Sequence, residues 1–280
     1  MNGFRAKAIT TGFWKPGEDY ITKIMESIEG KIDDDDIIVL SEKALATSSG
    51  NIVDEAEVKP GLCARFIAKF WMRIAWGYFL GTLCHFKWHL FDQLRKYPLK
   101  EGSSHKQVAL QYSGLTGALM FGSEGGIDGS NLAYSYVSLP LKQANQIAED
   151  IKQRITTKLK KRVYVMISDT DKTYSLGNFH FTPRPFPTKG IHSFGGVFVY
   201  VVARMLRLHK RATPIAVAGC TMDAESALNV AEVANRARGA GAGKTVWDMA
   251  KNFNAALTAV SWEMLETVKH KPIVIVKSRT

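Results

Sequence analysis

Two apolar runs constrain the fold of this chain more than anything else in it. Ile37-Ile38-Val39-Leu40 and Val163-Tyr164-Val165-Met166-Ile167 are short, β-branched and almost free of polar side chains. Runs of that length and make-up read as strands buried inside a sheet. Each gives way to small polar residues, Ser41-Glu42-Lys43 after the first and Ser168-Asp169-Thr170-Asp171 after the second. Residues 6–10, 214–218 and 272–276 read as further strands. Residues 18–29 have helical spacing, with Tyr20, Ile21, Ile24, Met25 and Ile28 on one face. Helices are also expected over 141–159, 223–238 and 247–268. Residues 108–120, broken by Gly114 and Gly117, read as a hairpin, and 197–208 fit either a strand or a helix. Strands and helices are mixed rather than strictly alternating, so the expected class is α+β, with mixed sheets and flanking helices.

At 280 residues the chain makes one large domain or two modest ones. Cys63, Cys84 and Cys220 are odd in number and unevenly spaced, which suits neither a disulfide framework nor a zinc knuckle. With no export signal at the start, a reducing cytoplasm is the expected location. The net charge of +11 favours polyanionic partners: nucleotides, nucleic acid or acidic membranes. The basic clusters at 158–162 and 207–211 end helix-like segments, where cations are favoured for local reasons. No groove-reading helix or stacking motif accompanies the charge, which argues against nucleic acid. The acidic run 33–36 reads as a solvated loop.

Residues 65–91 are crowded with aromatics, among them Phe66, Phe70, Trp71, Trp76, Tyr78 and Phe79. Lys69, Arg73, His85, Lys87 and His89 interrupt the stretch, so it falls short of the ~20 successive apolar residues of a membrane span. Such density suits a core helix pair or a subunit interface, with a helix lying on a membrane surface as the alternative.

The chemistry-bearing positions are two aspartate turns about forty residues apart, Gly125-Gly126-Ile127-Asp128-Gly129-Ser130-Asn131 and Ser168-Asp169-Thr170-Asp171. Aspartates at strand mouths are ordinary turn residues, but two of them can also share a hard cation such as Mg²⁺ or Mn²⁺. A third segment, Gly239-Ala240-Gly241-Ala242-Gly243-Lys244-Thr245, has Arg238 where a Walker A loop requires glycine, and it follows a helix rather than a strand. It reads either as a helix C-cap with a flexible connector, or as an anion-facing backbone with Lys244 adding charge.

At these two turns the chain resembles the coenzyme F-420:L-glutamate ligase family. The resemblance rests on Gly126-Ile127-Asp128-Gly129-Ser130-Asn131 and Ser168-Asp169-Thr170. The Gly12 turn, Ser41-Glu42-Lys43 and Ser49-Gly50-Asn51-Ile52 stand in the matching order. It implies a ligase that attaches glutamate through a γ-linked amide to the phosphorylated tail of a deazaflavin, with GTP as co-substrate and Mg²⁺ or Mn²⁺. By the same resemblance Asp128 and Asp169 are metal ligands and Thr170 serves a second ion. Gly12, Phe13, Glu42, Lys43 and Asn131 contact GTP, with Gly239, Gly241 and Gly243 added from the anion-facing segment. The partners implied are a nucleotide and an anionic small-molecule acceptor, in a two-lobed homodimer. Residues 1–280 are expected to form one unit, with a division near residue 190 left open. The chain departs from the family at Thr47, at Asp171-Lys172-Thr173 and at Ala240. Those departures favour the alternative, a ligand-binding or regulatory homologue that kept the fold and lost part of the site.

Overall fold

A computed structural model describes residues 3–122 and 124–278. Among the described residues nine strands appear: β1 (Phe4–Thr11), β2 (Ile37–Ser41), β3 (Ile52–Asp54), β4 (Tyr136–Ser138), β5 (Tyr164–Leu176), β6 (Phe179–Thr182), β7 (His192–Ser193), β8 (His209–Ala218) and β9 (His270–Ser278). Seven of them form one mixed sheet in the order β1-β9-β2-β5-β6-β7, with β8 also paired to β5; β3 and β4 form a separate pair. β2 and β5 run parallel, in the register Ile37 to Tyr164 through Ser41 to Ser168. The class is α+β, as the mixed pattern predicts.

The two apolar runs lie side by side at the centre, and their side chains alternate between faces as a pleated strand requires. Ile38, Leu40, Val165 and Ile167 face α1 (Tyr20–Ile28), α2 (Glu42–Ser48) and a long helix over Ala144–Leu159. Ile37, Val39 and Met166 face the opposite way, against Ala227, Val230, Ala231 and Ala234 of the helix Ala224–Arg238. Asp223 caps that second helix by accepting from the Ser226 amide at 2.8 Å. A strand covered on both faces has no room for polar residues, which explains the continuous apolar reading of β2 and β5.

The aromatic stretch is helical. The helix Leu62–Phe66 continues as a π-helix, Ile67–Leu80, followed by Gly81–Leu83 and Trp88–Arg95. Ile67, Met72 and Trp76 are buried in a second core with Val108, Met120 and Phe121. The indoles of Trp71 and Trp76 both donate to the Leu119 carbonyl at 2.8 Å. Among the described residues no helix is long and apolar enough to cross a membrane.

Three local expectations are corrected. Residues 108–120 are not a hairpin: 108–118 belong to the helix Leu99–Ala118, broken at Gly114 (φ 69°, ψ −174°), and Leu119 ends it. Val108 and Ala109 bury there in a core with Ile67, Met72 and Trp76 of the aromatic helices. The helix over 247–268 is two short ones, Val246–Asn252 and Trp262–Glu266. Asn254 turns to positive φ (50°) after the first, and the Ser261 hydroxyl caps the second by accepting from the Met264 amide at 3.4 Å. Finally, β5 does not stop at Asp169 but runs on to Leu176, with register shifts at 167/168 and between 169 and 172. The segment 197–208, open between strand and helix, is helical over Gly196–Met205.

Candidate functional site

A cavity of about 850 Å³ opens at the end of β2 and beside the middle of β5. Phe13, Lys43, Asp128, Asn131, Thr170, Gly239, Gly241 and Gly243 all line it, although they lie far apart in sequence. Gly12, Glu42 and Asp169 do not line it; Glu42 and Asp169 are buried behind it, and Gly12 is exposed beside Phe13.

The first aspartate turn is held by Lys43, which β2 delivers to the first turn of α2. Its ammonium lies 2.5 Å from Asp128 Oδ2 and donates to the carbonyl and hydroxyl oxygens of Ser130 at 2.8 Å each. The other Asp128 oxygen, Oδ1, accepts from the Ser130 amide at 2.7 Å. One residue on, Asn131 sits at φ 57° and reaches the glycine-rich segment. Its Nδ2 donates to the Gly243 carbonyl at 2.9 Å, and its Oδ1 accepts from the Ala242 amide at 2.6 Å. A Cβ on Gly241 would stand 2.5 Å from that Oδ1, so the clasp needs glycine there. The aspartate turn and the glycine-rich segment are therefore one structure, although more than 100 residues separate them.

The second aspartate is arranged differently. Asp169 is 8% exposed. Its Oδ1 accepts from the Thr170 amide at 2.6 Å, and its Oδ2 accepts from Arg184 Nε at 3.0 Å. Arg184 is itself buried and reaches Glu42 Oε2 at 2.5 Å, while Glu42 Oε1 accepts from the Leu141 amide at 2.8 Å. Burial pushes the Glu42 carboxyl up, to about 7, against the pull of Arg184. Two carboxylates share one guanidinium in a dry layer, and Thr170 alone of this turn's predicted residues looks into the cavity.

Asp128 fits a cation arriving on ligand oxygens, since it faces the cavity and its present counter-charge is a lysine with a flexible stem. Both oxygens of Asp169 are already engaged. Among the described residues no group of three or more His, Cys, Asp or Glu side chains could hold a metal by itself. A cation here would need oxygens supplied by a ligand.

Sequence reasoning missed much of the wall. Lys172, Arg204, Lys210, Arg236, Arg238, Lys269 and Lys271 add positive charge around the same cavity, alongside the Lys244 expected from the sequence. Phe13 stacks on His270 with ring centroids 4.5 Å apart, and the imidazole meets the Gly12 carbonyl at 3.2 Å. Burial lowers the His270 pKa to about 4, so the ring is neutral beside these cations. The far end of the cavity is made by the aromatic helices. There His105 meets Glu55 at 2.6 Å, and buried Lys106 donates to Glu124 at 2.8 Å and to the Met120 carbonyl at 2.7 Å. A lone histidine or lysine in the sequence carries no signal of such a cluster; the global excess of positive charge is the one sign that was available.

Comparison with known proteins identifies a family. The family model described as F420-0:Gamma-glutamyl ligase matches residues 8–195. The chain is also 34% identical over 290 residues to an uncharacterized protein of Methanocaldococcus jannaschii, covering 98% of this chain and 96% of that protein.

Proposed function

The chain belongs to the F420-0:gamma-glutamyl ligase family, and we propose that it is a GTP-dependent enzyme that joins an acid to an amine, in the manner of a γ-glutamyl ligase. The observation that carries this reading is the clasp of Asn131 on the glycine-rich segment, beside Lys43 and Asp128 in a cavity ringed by cations. A carboxylate is a poor electrophile. Its oxygen attacks the terminal phosphorus of the nucleotide, the nucleoside diphosphate leaves, and the amine nitrogen then displaces phosphate from the acyl carbon. Mg²⁺ or Mn²⁺ would neutralise charge that builds on the phosphate oxygens.

Within that scheme Asp128 and Thr170 would hold the cation. Asp169 orients Thr170 from behind by accepting its amide and, at 3.4 Å, its hydroxyl. Lys43 exchanges Asp128 for a phosphate oxygen when the ligand enters. Gly12 and Phe13 position His270 and the nucleotide, and Glu42 holds Arg184. Gly239, Gly241 and Gly243 let the backbone approach the anion. The acceptor is an anionic small molecule, the whole chain works as one cytoplasmic unit, and the enzyme acts as a homodimer. The dimer surface is the exposed stripe Leu62, Phe66, Phe70, Ile74 and Tyr78, where apolar side chains four residues apart share one helical face.

A ligand-binding homologue without turnover is the second reading, favoured by Asp169 and Glu42 being saturated by Arg184. The test is GTP turnover with Mn²⁺ and a panel of acids and amines, read as diphosphate and phosphate release. Release that depends on both the acid and the amine supports the ligase. GTP binding with no release under any pairing supports the homologue.

A further inference from the structure

Arg238 ends the helix Ala224–Arg238 at the cavity wall, just before the segment clasped by Asn131. Its Nε and Nη2 are buried and have no hydrogen-bond partner. These two nitrogens form one edge of the guanidinium, with N–H bonds pointing the same way, the edge that takes two oxygens of a phosphate or carboxylate side-on. Buried donors are nearly always satisfied, and a buried charge is nearly always paired. The carboxylate whose charge acts on Arg238 is Asp169, and that group is already held by Arg184 Nε and the Thr170 amide. Burial meanwhile pulls the Arg238 pKa down, to about 10, which leaves the group charged at neutral pH.

We propose that the open edge of Arg238 is a clamp for a phosphoryl group, taking two of its oxygens. This rests on the nucleotide-dependent reading given above and names the group of the chain that receives the phosphate. A phosphoryl group fits better than a carboxylate because it carries further oxygens and charge. Lys43 lines the same cavity as Arg238, as does His270, whose neutral ring adds no repulsion of its own. The arginine that breaks the Walker pattern thus supplies through its side chain what that loop supplies through backbone.

The test compares the parent protein with Arg238→Lys and Arg238→Met, titrated with pyrophosphate, GTP and glycerol phosphate by calorimetry. Lysine keeps the charge and loses the edge, so each variant should bind pyrophosphate at least tenfold more weakly. Arg238→Met should also melt at a higher temperature than the parent without ligand, because it removes an unpaired buried charge; an arginine with a purely structural role would give the opposite shift. Weakening for GTP and pyrophosphate alone assigns the clamp to the nucleotide, and weakening for glycerol phosphate alone assigns it to a phosphorylated acceptor. Affinities in Arg238→Lys within twofold of the parent, or a parent that binds none of the three probes, would overturn the proposal. Clamping without any amide formation would leave it standing and sink the ligase reading instead.

Discussion

Lys43 Nζ stands 2.5 Å from Asp128 Oδ2 and also donates to both Ser130 oxygens, so one ammonium closes the first aspartate turn onto the start of α2. In the proposed enzyme this pair is exchanged on binding, with lysine moving to phosphate and aspartate to the cation. Asp128→Asn should therefore remove the Mn²⁺-dependent part of the rise in melting temperature that GTP produces. Turnover should fall by about 10²-fold or more, as for loss of a charge that stabilises the transition state. A variant keeping the full Mn²⁺ effect would sink this role for Asp128.

The clasp makes its own demand on Gly241, which has φ +58° and no room for a Cβ beside Asn131. Gly241→Ala should cost about 1–2 kcal/mol from the left-handed backbone alone. It should also weaken GTP more than it weakens the fold, which titration of the folded variant would detect. Asn131→Ala should reproduce the binding loss without the backbone cost.

Arg184 holds Glu42 and Asp169 together in a layer that excludes water. Arg184→Met leaves two buried carboxylates facing each other and should cost about 3–5 kcal/mol in urea unfolding. Adding Glu42→Gln and Asp169→Asn should recover much of that loss. No recovery would mean that packing rather than charge is what the arginine supplies.

His105 sets a pH dependence. Burial opposes its charge, but Glu55 and Glu124 outweigh burial and hold the pKa up, to about 10, above the ordinary value of about 6.5. The folded protein therefore binds the extra proton between those values. The stability it confers is complete below about pH 6.5 and is lost as pH rises through about 10. Unfolding midpoints should fall across that window, and His105→Gln should flatten the fall.

The stripe on the aromatic helices predicts an association. Phe70 and Ile74 are 42% and 48% exposed, next to Phe66 and Tyr78 at 60% and 55%. Phe70→Asp with Ile74→Asp should turn a dimer into a monomer in sedimentation. A monomeric parent that floats with acidic vesicles would reassign the face to a membrane surface.

The central sheet was legible in the sequence because β2 and β5 are covered on both faces, which leaves an apolar run that nothing else explains. The first aspartate turn was legible through its glycines and short polar residues; the second, Ser168-Asp169-Thr170-Asp171, reads as a turn but lies within β5, and it reaches the same cavity through Thr170 rather than Asp169. What the chain hides is long-range. Nothing local marks Arg184 as the partner of Asp169, or Asn131 as the clasp on a segment 110 residues later. The hairpin expected near Gly114 failed because glycine punctuates helices as well as turns, and the aromatic helices around it supply the packing that keeps Leu99–Ala118 helical. Arg238 was visible as the residue that spoils a Walker loop, while its unpaired edge could be seen in three dimensions alone.

The position of β9 has a consequence for how the molecule is made. This late strand, His270–Ser278, lies between β1 and β2, bonded antiparallel to both. Until it emerges from the ribosome, the first two strands lack their common neighbour, and His270 and Lys271 are missing from the cavity wall. A nascent chain stalled before His270 would carry an open sheet edge and no finished pocket.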